Sequence, residues 1–134
     1  MKTYKGIVKT QSDLENYHIE NNMIEFIDVN VVGHFGNATT LTMAFQNCCL
    51  FGGYSLGRLI GEVLKIIVEV LELTKDEGVP ISRIKNIPVR IVVEKGWGNK
   101  IIGFGHFMKD RFVLEEDVIA LAKENLLFSM EGSK

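Results

Sequence analysis

Met23-Ile24-Glu25-Phe26-Ile27-Asp28-Val29-Asn30-Val31-Val32 is the stretch on which the fold turns. Met23, Glu25, Ile27, Val29 and Val31 alternate with Ile24, Phe26, Asp28, Asn30 and Val32, so both faces are mostly apolar. That predicts a strand covered on both sides or lying in an interface. His34-Phe35-Gly36-Asn37 supplies turn chemistry, and Ala38 to Gln46 then places Thr39, Leu41, Met43 and Phe45 on one face. With a further predicted strand over Thr3 to Thr10, these segments make an antiparallel meander.

Downstream the period changes. From Ser55 to Leu73 polar residues recur at Arg58, Glu62, Lys65, Glu69 and Glu72, and apolar ones fill most of the remaining positions. This predicts one long, largely apolar helix with Ser55 as its N-cap. So wide an apolar face has more to bury than one side of a small sheet covers, which predicts a homo-oligomer. Gly57 and Gly61, one turn apart, permit close backbone approach there, for packing or for ligand access.

The helix ends before Lys75-Asp76-Glu77-Gly78-Val79-Pro80, and Ser82 to Asn86 forms a short turn. Val89 to Glu94 and Lys100 to Phe104 form a hairpin about Gly96-Trp97-Gly98-Asn99, and Met108-Lys109-Asp110-Arg111 is a polar connection. Glu115, Glu116 and Asp117 favour the start of a short C-terminal helix that runs to about Leu127, with Glu131 to Lys134 frayed. The reading is α+β, an antiparallel sheet of meander plus C-terminal hairpin packed with one long apolar helix and a short C-terminal one.

Composition bounds the function. The 134 residues, 46% of them hydrophobic, fit one domain over 1–134 with a substantial core. No stretch approaches the roughly 20 apolar residues of a membrane span. The N-terminus has no apolar h-region, so the expectation is a cytoplasmic protein without a cleaved signal. Cys48 and Cys49 are neighbours and are read as reduced thiols that pack.

The net charge of -2 argues against long nucleic acid as a partner. Its distribution is uneven: residues 79–112 carry seven cations and two carboxylates, a local +5 within a remainder of -7. Either an anion-facing surface or two ordinary solvated faces accounts for that split.

Three segments have ligand chemistry. Gly52-Gly53-Tyr54-Ser55-Leu56-Gly57-Arg58 places glycines, a hydroxyl and a cation at a helix start, where an anion or a plain strand-to-helix turn fits equally. Trp97, Asn99 and Lys100 offer a stacking ring, an amide and an ammonium, although a Trp packed across the hairpin needs no ligand. Phe104, Phe107, Lys109 and Arg111 combine rings with phosphate-binding cations, the alternative being solvated loop charges. Histidines and cysteines lack metal-ligand spacing, and no cofactor is implied. Acid-base groups are few, with His106 and Asp110 the pair a small nucleotide hydrolase or lyase would use.

Phe51-Gly52-Gly53-Tyr54 with Gly57-Arg58, Val89-Arg90-Ile91-Val92 with Gly96-Trp97-Gly98-Asn99-Lys100-Ile101, and Ile102-Gly103 through Lys109-Asp110-Arg111-Phe112 together resemble the first family of Thoeris anti-defence proteins. The resemblance covers roughly residues 23–112. It implies a phage sponge, not an enzyme, that binds glycocyclic ADP-ribose without cleaving it, in some members also cyclic trinucleotides, as a homodimer or hexamer in the host cytoplasm. It implies Arg58, Asn99, Lys109 and Arg111 for pyrophosphate and ribose contact, Gly53 beside them, and Trp97, Phe104 and Phe107 as candidates for adenine stacking. A protein-binding inhibitor with a basic hairpin is a further alternative.

Overall fold

The alternating stretch does form the central strand, and it is longer than its apolar part. In the computed structural model, which describes residues 4–32, 38–73, 80–96 and 100–132, β1 runs over Tyr17–Val32. β2 (Ala38–Phe45), β3 (Cys48–Leu50), β4 (Ile87–Glu94), β5 (Ile101–His106) and β6 (Phe112–Leu114) complete an antiparallel sheet ordered β3-β2-β1-β4-β5-β6. Two meanders are thus joined at β1 and β4, with helix α1 (Leu59–Val70) making the connection and helix α2 (Glu115–Gly132) following β6. The expected turn at 34–37 and the hairpin tip at 97–99 lie outside the described residues.

β1 divides its length between two neighbours. Tyr17 to Ile24 pairs with β4, whereas Ile24 to Val32 pairs with β2, with a bulge at Glu25. Past Ile24, among the described residues, no strand pairs with β1 on its β4 side. Val29 and Val31 continue the face that holds buried Ile27, yet are 44% and 68% exposed. An open, β-branched edge with uncovered apolar side chains is a template for another chain.

Both helices lie on one face of the sheet. Ile24, Ile27, Leu41, Met43, Val89, Ile91 and Phe104 from the strands pack with Val63, Ile67 and Val70 of α1 and Val118 and Ala122 of α2. On the opposite face a smaller cluster of Leu14, Val92 and Phe112 is closed by the short 3-10 turn Ser12–Leu14. Gly105 is required where β5 meets β6, because a Cβ there would stand within overlap distance of Phe112 and the Arg111 carbonyl.

Several expectations are corrected. The strand expected over Thr3 to Thr10 is not formed among the described residues: Tyr4–Gly6 is a 3-10 turn, and Lys9 makes only an isolated bridge to Phe112. Its apolar residues Tyr4, Ile7 and Val8 pack on the core instead. α1 begins at Leu59 rather than Ser55, with Arg58 at the N-cap, because Leu56 and Gly57 donate to the Thr39 carbonyl and Gly57 turns at φ 51°. The helix lengths are reversed, 12 residues for α1 against 18 for α2, which continues to Gly132. A Cβ on Gly61 would meet nothing within 4 Å, so close packing is not its purpose; it lines an apolar groove of about 260 Å³ with Leu64, Val68, Ile81 and Ile84. α1 finds cover against the sheet and α2 within one chain, so its apolar width alone no longer argues for a second subunit.

Candidate cationic site at the end of helix α1

α1 terminates in a Schellman motif. Leu73 N–H donates to the Val68 carbonyl at 2.9 Å and Glu72 N–H to that of Glu69 at 3.2 Å, with Glu72 at φ 55°. That position favours glycine or asparagine, and the negative end of a helix disfavours a carboxylate. Glu72 is there nonetheless, and its carboxylate points into cations. Lys109 Nζ lies 2.6 and 2.7 Å from its two oxygens, Arg111 donates at 3.1 Å, and His106 Nε2 stands 3.4 Å away. The Lys109 ammonium, then the Arg111 guanidinium, hold the Glu72 carboxyl below its ordinary range.

The cations come from the loop between β5 and β6, which is fixed from several sides. Arg90 on β4 donates to the His106 carbonyl at 3.0 Å and to the Lys109 carbonyl at 2.6 Å while its guanidinium lies 4.5 Å over the Phe112 ring. Gln11 N–H donates to Asp110 Oδ1 at 2.6 Å. Arg111 also donates to the Tyr4 hydroxyl at 3.1 Å. A loop so tied presents its charges in one geometry, which lowers the ordering cost of binding.

His106 belongs to the same lock. Its Nδ1 accepts from the N–H groups of Met108 at 3.0 Å and Lys109 at 3.1 Å, which requires that nitrogen to carry no proton. Burial lowers its pKa below the ordinary value, opposed by Glu72 and aided by Arg111, Lys109 and Arg90. The unfolded chain therefore takes up a proton near pH 6.5 that the folded chain refuses, so this contribution is complete above pH 6.5 and lost as pH falls below it. Chemical denaturation between pH 7.5 and 5 is expected to show declining stability, and His106→Asn, which cannot titrate, is expected to flatten that decline. An equally steep decline in the variant would remove His106 from the lock.

The other predicted residues are dispersed. Phe107 is 38% exposed on the same loop, available to a ligand ring. Phe104 is fully buried under the helices, so its assignment to base stacking is corrected to core packing. Trp97 and Asn99 lie outside the described residues. Arg58 and Gly53 are exposed at the opposite end of α1; fourteen residues at 1.5 Å rise separate Arg58 from Glu72 by roughly 20 Å. One chain does not bring Arg58 to Lys109 and Arg111.

Nearby charge is acidic around the glycine-rich segment: Glu115 pushes the Tyr54 hydroxyl upward and accepts the Phe51 N–H at 2.7 Å. Lys100, one of the seven cations of the basic segment, faces Glu94, Glu115 and Glu116 across a depression of about 130 Å³. The +5 segment is thus no uniform surface, and only Arg90, Lys109 and Arg111 gather at the β5–β6 loop.

The thiols are free. Cys48 is half-buried, with burial raising its pKa and working against a thiolate nucleophile, whereas Cys49 is exposed rather than packed. Among the described residues no group of His, Cys, Asp and Glu could hold a metal, and no helix is long and apolar enough to cross a membrane.

Glu72, Tyr4 and Arg90 had no place in the predicted site. Glu72 carried a usable signal, an acid in the last turn of a helix where a cation or glycine is expected. The fold and site together define an α+β protein, a six-stranded antiparallel sheet with two helices and a cationic cluster at the end of α1. No protein-family model, curated protein or solved structure matches the chain.

Proposed function

We propose that this protein is an oligomeric phage sponge that binds glycocyclic ADP-ribose without cleaving it and so blocks Thoeris-type immunity. The observation that carries the reading is the convergence of Lys109, Arg111 and His106 on a single carboxylate, on a loop already fixed by Arg90. Such a cradle suits a pyrophosphate, and exposed Phe107 beside it suits a base. Binding rather than turnover is favoured because His106 Nδ1 and Asp110 Oδ1, the acid-base pair of the alternative enzyme, both already accept backbone N–H groups.

Self-association is supported by the open edge of β1 and its exposed Val29 and Val31. A second copy is also what a site containing both Arg58 and Arg111 requires. The natural setting for such a protein is the host cytoplasm, and cyclic trinucleotides are tested in the same way.

Purified protein incubated with a mixture of cyclic nucleotide signals is expected to retain glycocyclic ADP-ribose through gel filtration and to release it chemically intact on heating, as read by mass spectrometry. Recovery of linear ADP-ribose would overturn the sponge in favour of an enzyme.

A further inference from the structure

The cations that make the cluster a candidate for phosphate are not waiting empty. We infer that Glu72 is a built-in competitor for the cluster: its carboxylate occupies the place of a ligand phosphate, and an incoming pyrophosphate must displace it to bind. This rests on the reading of Lys109 and Arg111 as the anion site.

Three observations carry it. The Glu72 carboxylate uses both oxygens on Lys109 and shares one with Arg111, the contacts a phosphate oxygen pair would make. Its backbone occupies the left-handed position of a Schellman motif, which a side-chain-bearing residue enters at a steric disadvantage, and its charge stands at the unfavourable end of the α1 dipole. The Glu72 side chain is finally 40% exposed, enough to swing into water once the cations release it. A residue disfavoured by its own helix and held by the ligand-binding groups is displaced at little further cost. Strained positions of this kind recur at binding sites.

The consequence is a threshold. If Glu72 closes the cluster nine-tenths of the time, the apparent dissociation constant of every anion rises about tenfold. Weak monoanions, which replace one charge with one charge, fall out of range. A pyrophosphate brings two charges to Lys109, Arg111 and neighbouring Arg90 and remains bound.

The test uses inorganic pyrophosphate as probe and calorimetry as readout. Glu72→Gln is expected to bind it at least tenfold more tightly than the unaltered protein, whereas Glu69→Gln, which removes an equal charge from an exposed position on α1 outside the cluster, changes affinity less than threefold. Glu72→Gly provides a second variant suited to the left-handed backbone and is expected to match Glu72→Gln. In the unaltered protein, pyrophosphate is expected to raise the titration point of the Glu72 carboxyl carbon measured by NMR, a readout that needs no variant to fold.

A gain no larger than that of Glu69→Gln, or a carboxyl that titrates unchanged under saturating pyrophosphate, overturns the inference. If the glycocyclic signal fails to bind while the pyrophosphate gain stands, the sponge reading falls and the competitor remains. If the signal binds equally to the unaltered protein and to Glu72→Gln, the sponge stands and the competitor falls.

Discussion

Phe104→Ala is expected to remove about 3–5 kcal/mol of folding stability, the range for truncating a fully buried phenylalanine. Phe104 faces the helices from β5, opposite Ile91 of β4 and Val113 of β6, in the cluster that joins both helices to the sheet. Removal leaves a cavity that a strand flanked by Gly103 and Gly105 collapses into poorly, because those glycines are already in close contact with β6. Against a total of about 5–15 kcal/mol the loss is large, so a urea titration at low temperature is the suitable measurement. Phe104→Leu, which refills much of the volume, is expected to lose distinctly less and still bind ligand. If alanine instead cost under 1 kcal/mol while abolishing ligand binding, Phe104 would be a stacking platform and its placement in the core would be wrong.

The same residue shows why a ring on a strand is ambiguous in the sequence. Neighbouring strand residues such as Gly103 and Phe104 face opposite sides of a sheet, yet which side meets helices depends on where α1 and α2 settle. Strands whose apolar pattern coincided with their hydrogen-bonded length were legible: Ala38–Phe45 differs by one residue from expectation, and Ile87–Glu94 begins two residues earlier. β1 was half legible. Its first six residues, Tyr17 to Asn22, alternate weakly and carry Glu20, Asn21 and Asn22, and they form a strand because β4 supplies the partner backbone.

Thr3 to Thr10 failed in the opposite direction. Its side chains suit a strand, but among the described residues no ladder is offered beyond the Lys9–Phe112 bridge, and burial of Tyr4, Ile7 and Val8 decides its shape. The site divides along similar lines. Lys109 and Arg111 were readable because cations in a loop between strands are visible as residue types. Their joint partner Glu72, 37 and 39 positions away, was not, because only the length and exit direction of α1 bring that carboxylate to the loop. Oligomerisation likewise keeps its place as a proposal on different grounds, the edge of β1 left unpaired among the described residues rather than the apolar width of α1.

Replacing both Lys109 and Arg111 by alanine is expected to weaken glycocyclic ADP-ribose binding by at least a hundredfold, with each single variant losing about 1.5–3 kcal/mol as a charge-assisted hydrogen bond does. The double loss is expected to fall short of the sum, since both cations contact the same carboxylate in the free protein. Arg58→Ala discriminates further. Within one chain Arg58 is roughly 20 Å from the cluster, so a site confined to one protomer leaves its affinity unaltered. A site shared by two copies loses affinity with Arg58→Ala as it does with Arg111→Ala. Mixing the two variants under conditions that exchange subunits would then reconstitute one complete site per mixed dimer, since one protomer supplies the intact Arg58 and its partner the intact Arg111. Calorimetry of the mixture is expected to return wild-type affinity at a reduced stoichiometry. Full affinity in the folded Lys109, Arg111 double variant would place the ligand elsewhere on the molecule, and unaltered affinity in Arg58→Ala would confine the site to one chain.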